Sequence, residues 1–274
     1  MSVRSAWDST LFLGAAEFYE LGRLPYAENL AGAFRAALGA DGSGRLLDVG
    51  CGPGSIAFRL AGVYREVVGL DPDPGMISEA SRLGRERGVD NARFVRAVAE
   101  DLPYGLGEFD TITFGASFHW MDRELVADAV RSMLRPGGMA VQIDSGPLAD
   151  GPAGAFPAPP QELIRDLVRH YLGPERRAGQ TYGFVSPSDE REVWRAAGFV
   201  AVADVRVPDR RILTRTIDEV IAGTLSLSSS APHLFEDRLS QFRNDLRSLL
   251  EAASPSGRFS VPLADNTLHI WRPA

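Results

Sequence analysis

The sequence predicts an α/β protein built on a mainly parallel sheet. Three observations carry that prediction. From residue 45 onward short apolar runs alternate with helix-like segments, the runs end in turns rich in Gly, Pro or Asp, and 274 residues at 45% hydrophobic content are ample for a buried core. Strands separated by helices pair in parallel, and open sheets of this kind carry their sites beyond the carboxyl ends of the strands.

The elements follow in order. Residues 1–43 place Trp7, Phe12, Phe18, Tyr19 and Leu21 at mixed spacing and then a helical run over 27–38 that stops at Gly39, which reads as an N-terminal helical cap. A core over 44–145 is expected to hold strands at 45–49, 66–70, 92–96, 109–114 and 138–143, with helices near 54–62, 74–87 and 122–134. Residues 146–274 complete the sheet and carry insertions over 146–195 and 210–258. Here the run 145–160 is too rich in Gly and Pro for regular structure and reads as a loop. Helices near 160–171 and 188–196, a strand over 199–207, helical runs over 216–228 and 233–252 and a last strand over 266–272 follow. The inserted helical pair is expected to cover the ligand edge of the sheet together with the N-terminal helices.

Composition removes whole classes of chemistry. All 29 basic residues are arginine, so lysine-based mechanisms (internal aldimines, Schiff-base aldol chemistry, a phosphate-binding P-loop) are excluded. A net charge of −7 argues against nucleic acid as a partner, because phosphate binding rests on clustered cations and these arginines are scattered among acids. The single cysteine, Cys51, forbids an intrachain disulfide, and the four histidines lie too far apart to show a metal-ligand spacing. No stretch approaches the roughly 18 apolar residues of a membrane span and no leader pattern opens the chain, so a cytoplasmic protein without a membrane partner is expected.

The segment RLLDVGCGPGSIAFRLA (45–61) is the most informative. A strand ends in Asp48, a loop carries Gly50, Gly52 and Gly54, and a helix follows, the arrangement that lets a backbone turn sharply and approach a ligand. Seventeen residues after Gly54 the second strand ends in Asp71, where an acid can accept both hydroxyls of a ribose. The third glycine comes one place too early for a dinucleotide fingerprint, and no lysine compensates.

With GLDPDPGMI (69–77), AEDLP (99–103), FDTITFGASFHWMD (109–122) and LRPGG (134–138), the loop LDVGCGPG (47–54) resembles the class I S-adenosylmethionine-dependent methyltransferases over residues 20–145. The resemblance implies a Rossmann-like seven-stranded sheet with the last strand antiparallel, helices on both faces, and S-adenosyl-L-methionine lying across the strand ends. Asp48, Gly50, Cys51, Gly52 and Gly54 would lie against its methionine and ribose portions, and Asp71 would hold the ribose. Pro72 and Met76 would border the adenine, Ala99 and Glu100 would meet its edge, and Gly115 and Ala116 would face the amino group. Val98 stands where many relatives carry an aspartate, so the adenine amine contact falls to Glu100 or Asp101. Arg23, in FYELGRLPY (18–26), resembles an arginine that approaches the cofactor carboxylate; a solvated helix face is the other reading.

Methyl transfer from a sulfonium is an in-line displacement that chiefly needs alignment and exclusion of water. His119 is a candidate general base or a hydrogen-bonded wall residue, and Tyr19, Phe118 and Trp120 are expected with it around the substrate pocket. Tyr182 and Trp194 are read either as substrate-facing or as packing aromatics. The sequence thus reads as a methyltransferase for a small molecule, a specialised metabolite, acting on an O, N or C acceptor as a monomer or homodimer. Cyclisation or decarboxylation on the same fold, and a non-catalytic cofactor-binding module, are the alternatives.

Overall fold

The structure, a computed structural model, describes residues 7–146, 154–175, 177–178, 181–182 and 190–274. Its strands of more than two residues are β1 (Arg45–Val49), β2 (Glu66–Asp71), β3 (Ala92–Arg96), β4 (Phe109–Gly115), β5 (Leu134–Ser145), β6 (Phe199–Val207), β7 (Ile212–Thr216), β8 (Arg258–Pro262) and β9 (Asn266–Pro273). All but β7 and β8 join one seven-stranded sheet in the order β3-β2-β1-β4-β5-β9-β6. The first five strands of that sheet pair in parallel, and β9 lies antiparallel between β5 and β6. The expected sheet is therefore present, with its one reversed strand last in the chain.

Alternation along β1 shows why the sheet is covered on both faces. Leu47 and Val49 point into a core shared with α5 (Arg123–Met133) and α7 (Glu190–Ala196), whereas Leu46 points into a second core under α2 (Leu30–Leu38) and α3 (Ser55–Leu60). Helix starts are set by short acids. Asp73 accepts from the Met76 amide at 2.9 Å and Pro74 opens α4 (Pro74–Glu86), while Asp122 caps α5 through the Leu125 amide at 3.3 Å. Both helices thus begin at the carboxyl edge of the sheet, where the glycine loop also lies.

The insertion differs from expectation. Residues 212–216, inside the insertion expected to be a helical pair, and 258–262, for which no element is expected, form the antiparallel pair β7–β8, which closes the base of the insertion. The run over 216–228 splits into α8 (Ile217–Leu225) and a 3₁₀ turn at Ser228–Ser230, and that over 233–252 into a 3₁₀ segment at Pro232–Arg238 and α9 (Leu239–Ala253). Strand β5 starts earlier than expected because Leu134 pairs with Phe109 before an irregularity, after which Met139 pairs with Thr111. Part of the 145–160 loop and the first two residues of the 188–196 helix lie outside the described residues, as does the side chain of Tyr182.

A third core ties the cap together. Ile164 and Tyr171 of α6 (Gln161–Leu172) pack with Ile221 and Leu225 of α8, Phe235, and Phe242 and Leu246 of α9. Against this unit lies α1 (Ala16–Gly22), and the two helices touch through glycines: a Cβ on Gly22 would stand 2.3 Å from the Ala222 carbonyl carbon. Two arginines lock the crossing from opposite sides. Arg215 donates to the Leu21 and Gly22 carbonyls at the end of α1 (2.5 and 3.1 Å), and Arg23 donates to the Ser226 carbonyl at the end of α8 (2.9 Å).

Candidate cofactor and acceptor site

The loop after β1 is held open by its glycines. Gly50 (φ 68°) and Gly52 (φ 54°) occupy the left-handed region, and the Gly50 and Cys51 amides turn back onto the Leu70 carbonyl at 2.7 and 3.0 Å. A Cβ on Gly50 would lie 2.5 Å from Cβ of Ser117, so this loop and the one after β4 meet there; the Ser117 hydroxyl completes the junction by donating to the Val49 carbonyl at 2.6 Å. Gly54 serves a different purpose from the expected one. It lines neither cavity, and a Cβ there would stand 2.7 Å from the Phe58 ring, so its requirement is the close packing at the start of α3.

Two adjoining cavities open beyond these strand ends. The smaller, about 70 Å³, is bordered by Gly52, Asp71, Pro72, Met76, Ala99 and Glu100, and covered by Trp7, Phe12 and Trp120. Phe12 meets Trp120 edge to face at 6.1 Å. The Asp71 carboxylate, almost fully buried, accepts from the Gly52 amide (2.8 Å) and the Asp73 amide (2.9 Å), and burial nevertheless pushes its pKa up to about 6. Each of its oxygens keeps acceptor capacity for a hydroxyl. Of the two acids weighed for the adenine edge, Glu100 borders the cavity and Asp101 does not; one Glu100 oxygen accepts from the Asp122 amide at 2.8 Å.

The larger cavity, about 750 Å³, lies between the loops after β1 and β4, α1, and the cap helices α6 and α8. Tyr19, Gly50, Gly115 and Ala116 border both cavities, which makes them one divided space. Ala116 sits at φ 51°, a conformation costly for a side chain with Cβ and met most often at functional sites. Asp48 is buried; its Oδ1 accepts from the Thr113 hydroxyl at 3.0 Å, its Oδ2 has no partner, and burial raises its pKa to about 7. Arg23 stacks over the Tyr19 ring at 4.8 Å and leaves its Nε buried without a partner. Burial also holds the Cys51 thiol well above its ordinary pKa, which suits a packing role beside the loop.

Two expected pocket residues, Phe118 and His119, fall differently, and Trp194 takes the packing one of its two readings. Phe118 is buried in the sheet core, stacked on Trp194 at 4.8 Å, and so cannot reach a ligand; Trp194 likewise packs against Phe114, Phe199 and Trp271. His119 borders neither cavity and contacts the ring of Trp120 at 5.0 Å. Sequence reasoning missed Tyr26, Arg215 and the cavity-facing stripes of α6 and α8, because an amphipathic helix shows its apolar face in sequence and not what its flank adjoins. Among the described residues no group of three or more His, Cys, Asp or Glu side chains is placed to hold a metal ion, and no helix is long and apolar enough to cross a membrane.

The residues present fit the expected nucleoside cofactor. A buried carboxylate with free acceptor capacity stands at one end of the divided space, and an orphaned guanidinium nitrogen and an orphaned carboxylate oxygen stand at the other. Comparison with known proteins agrees. Residues 46–138 match the family model of a methyltransferase domain. The uncharacterized methyltransferase YcgJ of Bacillus subtilis is 34% identical over 101 residues, 36% of this chain and 40% of that one. Its crystal structure superposes with a TM-score of 0.51 at 20% identity, over 89% of this chain and 98% of that one. A demethylmenaquinone methyltransferase of Lactococcus lactis is 31% identical over 171 residues, 57% of this chain and 66% of the other. The crystal structure of the [4+2]-cyclase SpnF shares the fold at a TM-score of 0.55 and 18% identity, over 97% of this chain and 93% of that one. The chain spans less than half the length of the first three curated relatives it matches. By their family model residues 46–138 form a methyltransferase domain, and the strand order and glycine loop around it are those the resemblance to the class I S-adenosylmethionine-dependent methyltransferases implies.

Proposed function

We propose that this protein binds S-adenosyl-L-methionine and methylates a small molecule, a specialised metabolite, at an O, N or C atom. The observation that carries the proposal is the divided space, with Asp71 in the small compartment, the open Arg23 Nε in the large one, and Gly50, Gly115 and Ala116 at the junction. S-adenosyl-L-methionine, when bound, supplies a sulfonium methyl group to an in-line nucleophile. The chain's own residues do the rest. Asp71 accepts the ribose hydroxyls, Pro72, Met76, Ala99 and Glu100 border the adenine, Arg23 donates to the carboxylate, and Asp48 Oδ2 accepts from the ammonium group. Trp7, Phe12 and Trp120 keep water from the nucleoside side, and α6 and α8 wall in the acceptor, which turns alignment into rate.

No proton transfer is assigned to His119, since it borders neither cavity. The acidic balance speaks for a small or weakly charged partner over nucleic acid. The reading takes the protein as a monomer or a homodimer, and the lone buried thiol suits the cytoplasm. Because a cyclase shares this fold, the decisive experiment follows the methyl group itself. Calorimetry is expected to show binding of S-adenosylhomocysteine, weakened about tenfold or more by Arg23→Ala, which removes a charge-assisted hydrogen bond. Incubation with methyl-labelled cofactor and a panel of phenols, acids and amines is expected to give labelled product. Absence of binding overturns the cofactor assignment; binding with cofactor-dependent conversion but no label transfer points to the non-transfer chemistry.

A further inference from the structure

Two arginines on the acceptor wall have no part in holding the cofactor. Helix α6 turns Ile164, Val168 and Leu172, spaced i, i+4 and i+8, toward the larger cavity, and Arg165 and Arg169 flank that apolar stripe one turn apart on the same wall. Their partners within the chain are weak ones: Glu162 at 3.8 Å and Asp166 at 3.1 Å, each three residues back and each well exposed. Exposed pairs of this kind contribute little, because water competes for both partners, so exchanging them for a ligand's oxyanion costs little.

The other charges on the wall are spoken for. Arg215 faces Glu219 at 3.8 Å and donates to three backbone carbonyls, Asp48 is buried against Thr113, and Arg23 is the one assigned to the cofactor. Glu175 is the only acid left to oppose the two guanidinium groups among the described lining residues. The α6 wall therefore couples apolar surface to an excess of positive charge. A guanidinium fork matches a carboxylate in shape as well as in sign.

We infer that the acceptor has an apolar body and carries a carboxylate that Arg165 and Arg169 bind. This rests on reading the larger cavity as the acceptor site. Under it the carboxylate is a handle on α6, and the atom that is methylated lies at the other end, toward the Gly115–Ala116 loop.

The test uses protein saturated with S-adenosylhomocysteine and titrated calorimetrically with naphthoic acid and, separately, with its neutral and equally shaped amide. The acid is expected to bind about tenfold more tightly, the worth of one charge-assisted pairing in a partly wet site. In the double variant Arg165→Gln, Arg169→Gln that preference is expected to fall to near one, with affinity for S-adenosylhomocysteine unchanged. Equal binding of acid and amide by the parent protein, a preference that survives in the double variant, or binding of neither probe overturns the inference. If S-adenosylhomocysteine fails to bind, the same titrations on the free protein separate the two ideas: an arginine-dependent acid preference then upholds the anion site and overturns the cofactor reading.

Discussion

Asp71 shows how a buried carboxylate sets a working pH. Desolvation raises its pKa from 3.8 to about 6 although two amides donate to it, so folding favours the protonated form. Its stability contribution is thus present below the unfolded value and lost as pH rises through about 6, while its use as a double acceptor for the ribose requires the opposite, ionised state. Affinity for S-adenosylhomocysteine is therefore expected to be level above about pH 8, to weaken as pH falls through about 7 while Asp48 takes up a proton, and to weaken more steeply below about 6 when Asp71 follows. Calorimetry across that range checks it, and Asp71→Asn, which cannot titrate, is expected to bind weakly and to lose the steeper limb below about 6. At this scale the sequence was most legible where a residue's duty is local. Gly50, Gly52 and Asp71 sit in consecutive turns whose spacing announces them. Gly54 and Phe118 misled because nearness to a motif says nothing about which way a position faces, and Phe118 faces Trp194.

Among the elements, the crossing of α1 and α8 is the tightest joint in the wall of the acceptor cavity. Gly22→Ala would put a Cβ against backbone that cannot step aside, and a destabilisation of about 1–3 kcal/mol in urea unfolding is expected. Gly62→Ala is the control: nothing stands within 4 Å of its added methyl, and a change within about 0.5 kcal/mol is expected. The strands of the sheet were legible because β1, β2 and β4 are short apolar runs closed by turns. The pair β7–β8 was not, since Ile212–Thr216 and Arg258–Pro262 lie more than forty residues apart and each carries an arginine that breaks the apolar run. Helix ends in the cap were blurred for a related reason: α8 stops at Leu225, inside the run read over 216–228, and a 3₁₀ segment, Pro232–Arg238, takes the start of the run read over 233–252.

At the scale of the whole molecule, the far edge of the sheet is pinned by a charged cluster. His269 on β9 meets Asp144 on β5 at 3.3 Å and Asp204 on β6 at 2.7 Å, and these carboxylates hold its pKa above 6.5; Arg191 also reaches the ring and Asp204. A raised histidine pKa stabilises the fold fully below the unfolded value and loses its effect as pH rises through the folded one. His269→Gln is accordingly expected to lower the melting temperature more at about pH 6 than at about pH 8.5, and an equal loss at both would show that the ring acts by packing alone. Of the three larger cores, the two on the sheet faces were foreshadowed by alternation in the strands. The third arises only when α6, α8 and α9 come together, from residues spread between 164 and 259.

The mutual capping by Arg23 and Arg215 also sets a timetable for synthesis. The N-terminal helix finds its partners at Arg215, Ser226 and, through the Ala27 amide, at Asn266, whose side chain accepts at 2.7 Å. A chain emerging from the ribosome can lay down the strands that surround the glycine loop early. It has to carry its first thirty residues unsatisfied until some two hundred and forty more have followed, a wait in which exposed Phe12, Phe18 and Tyr19 are open to chaperones and proteases.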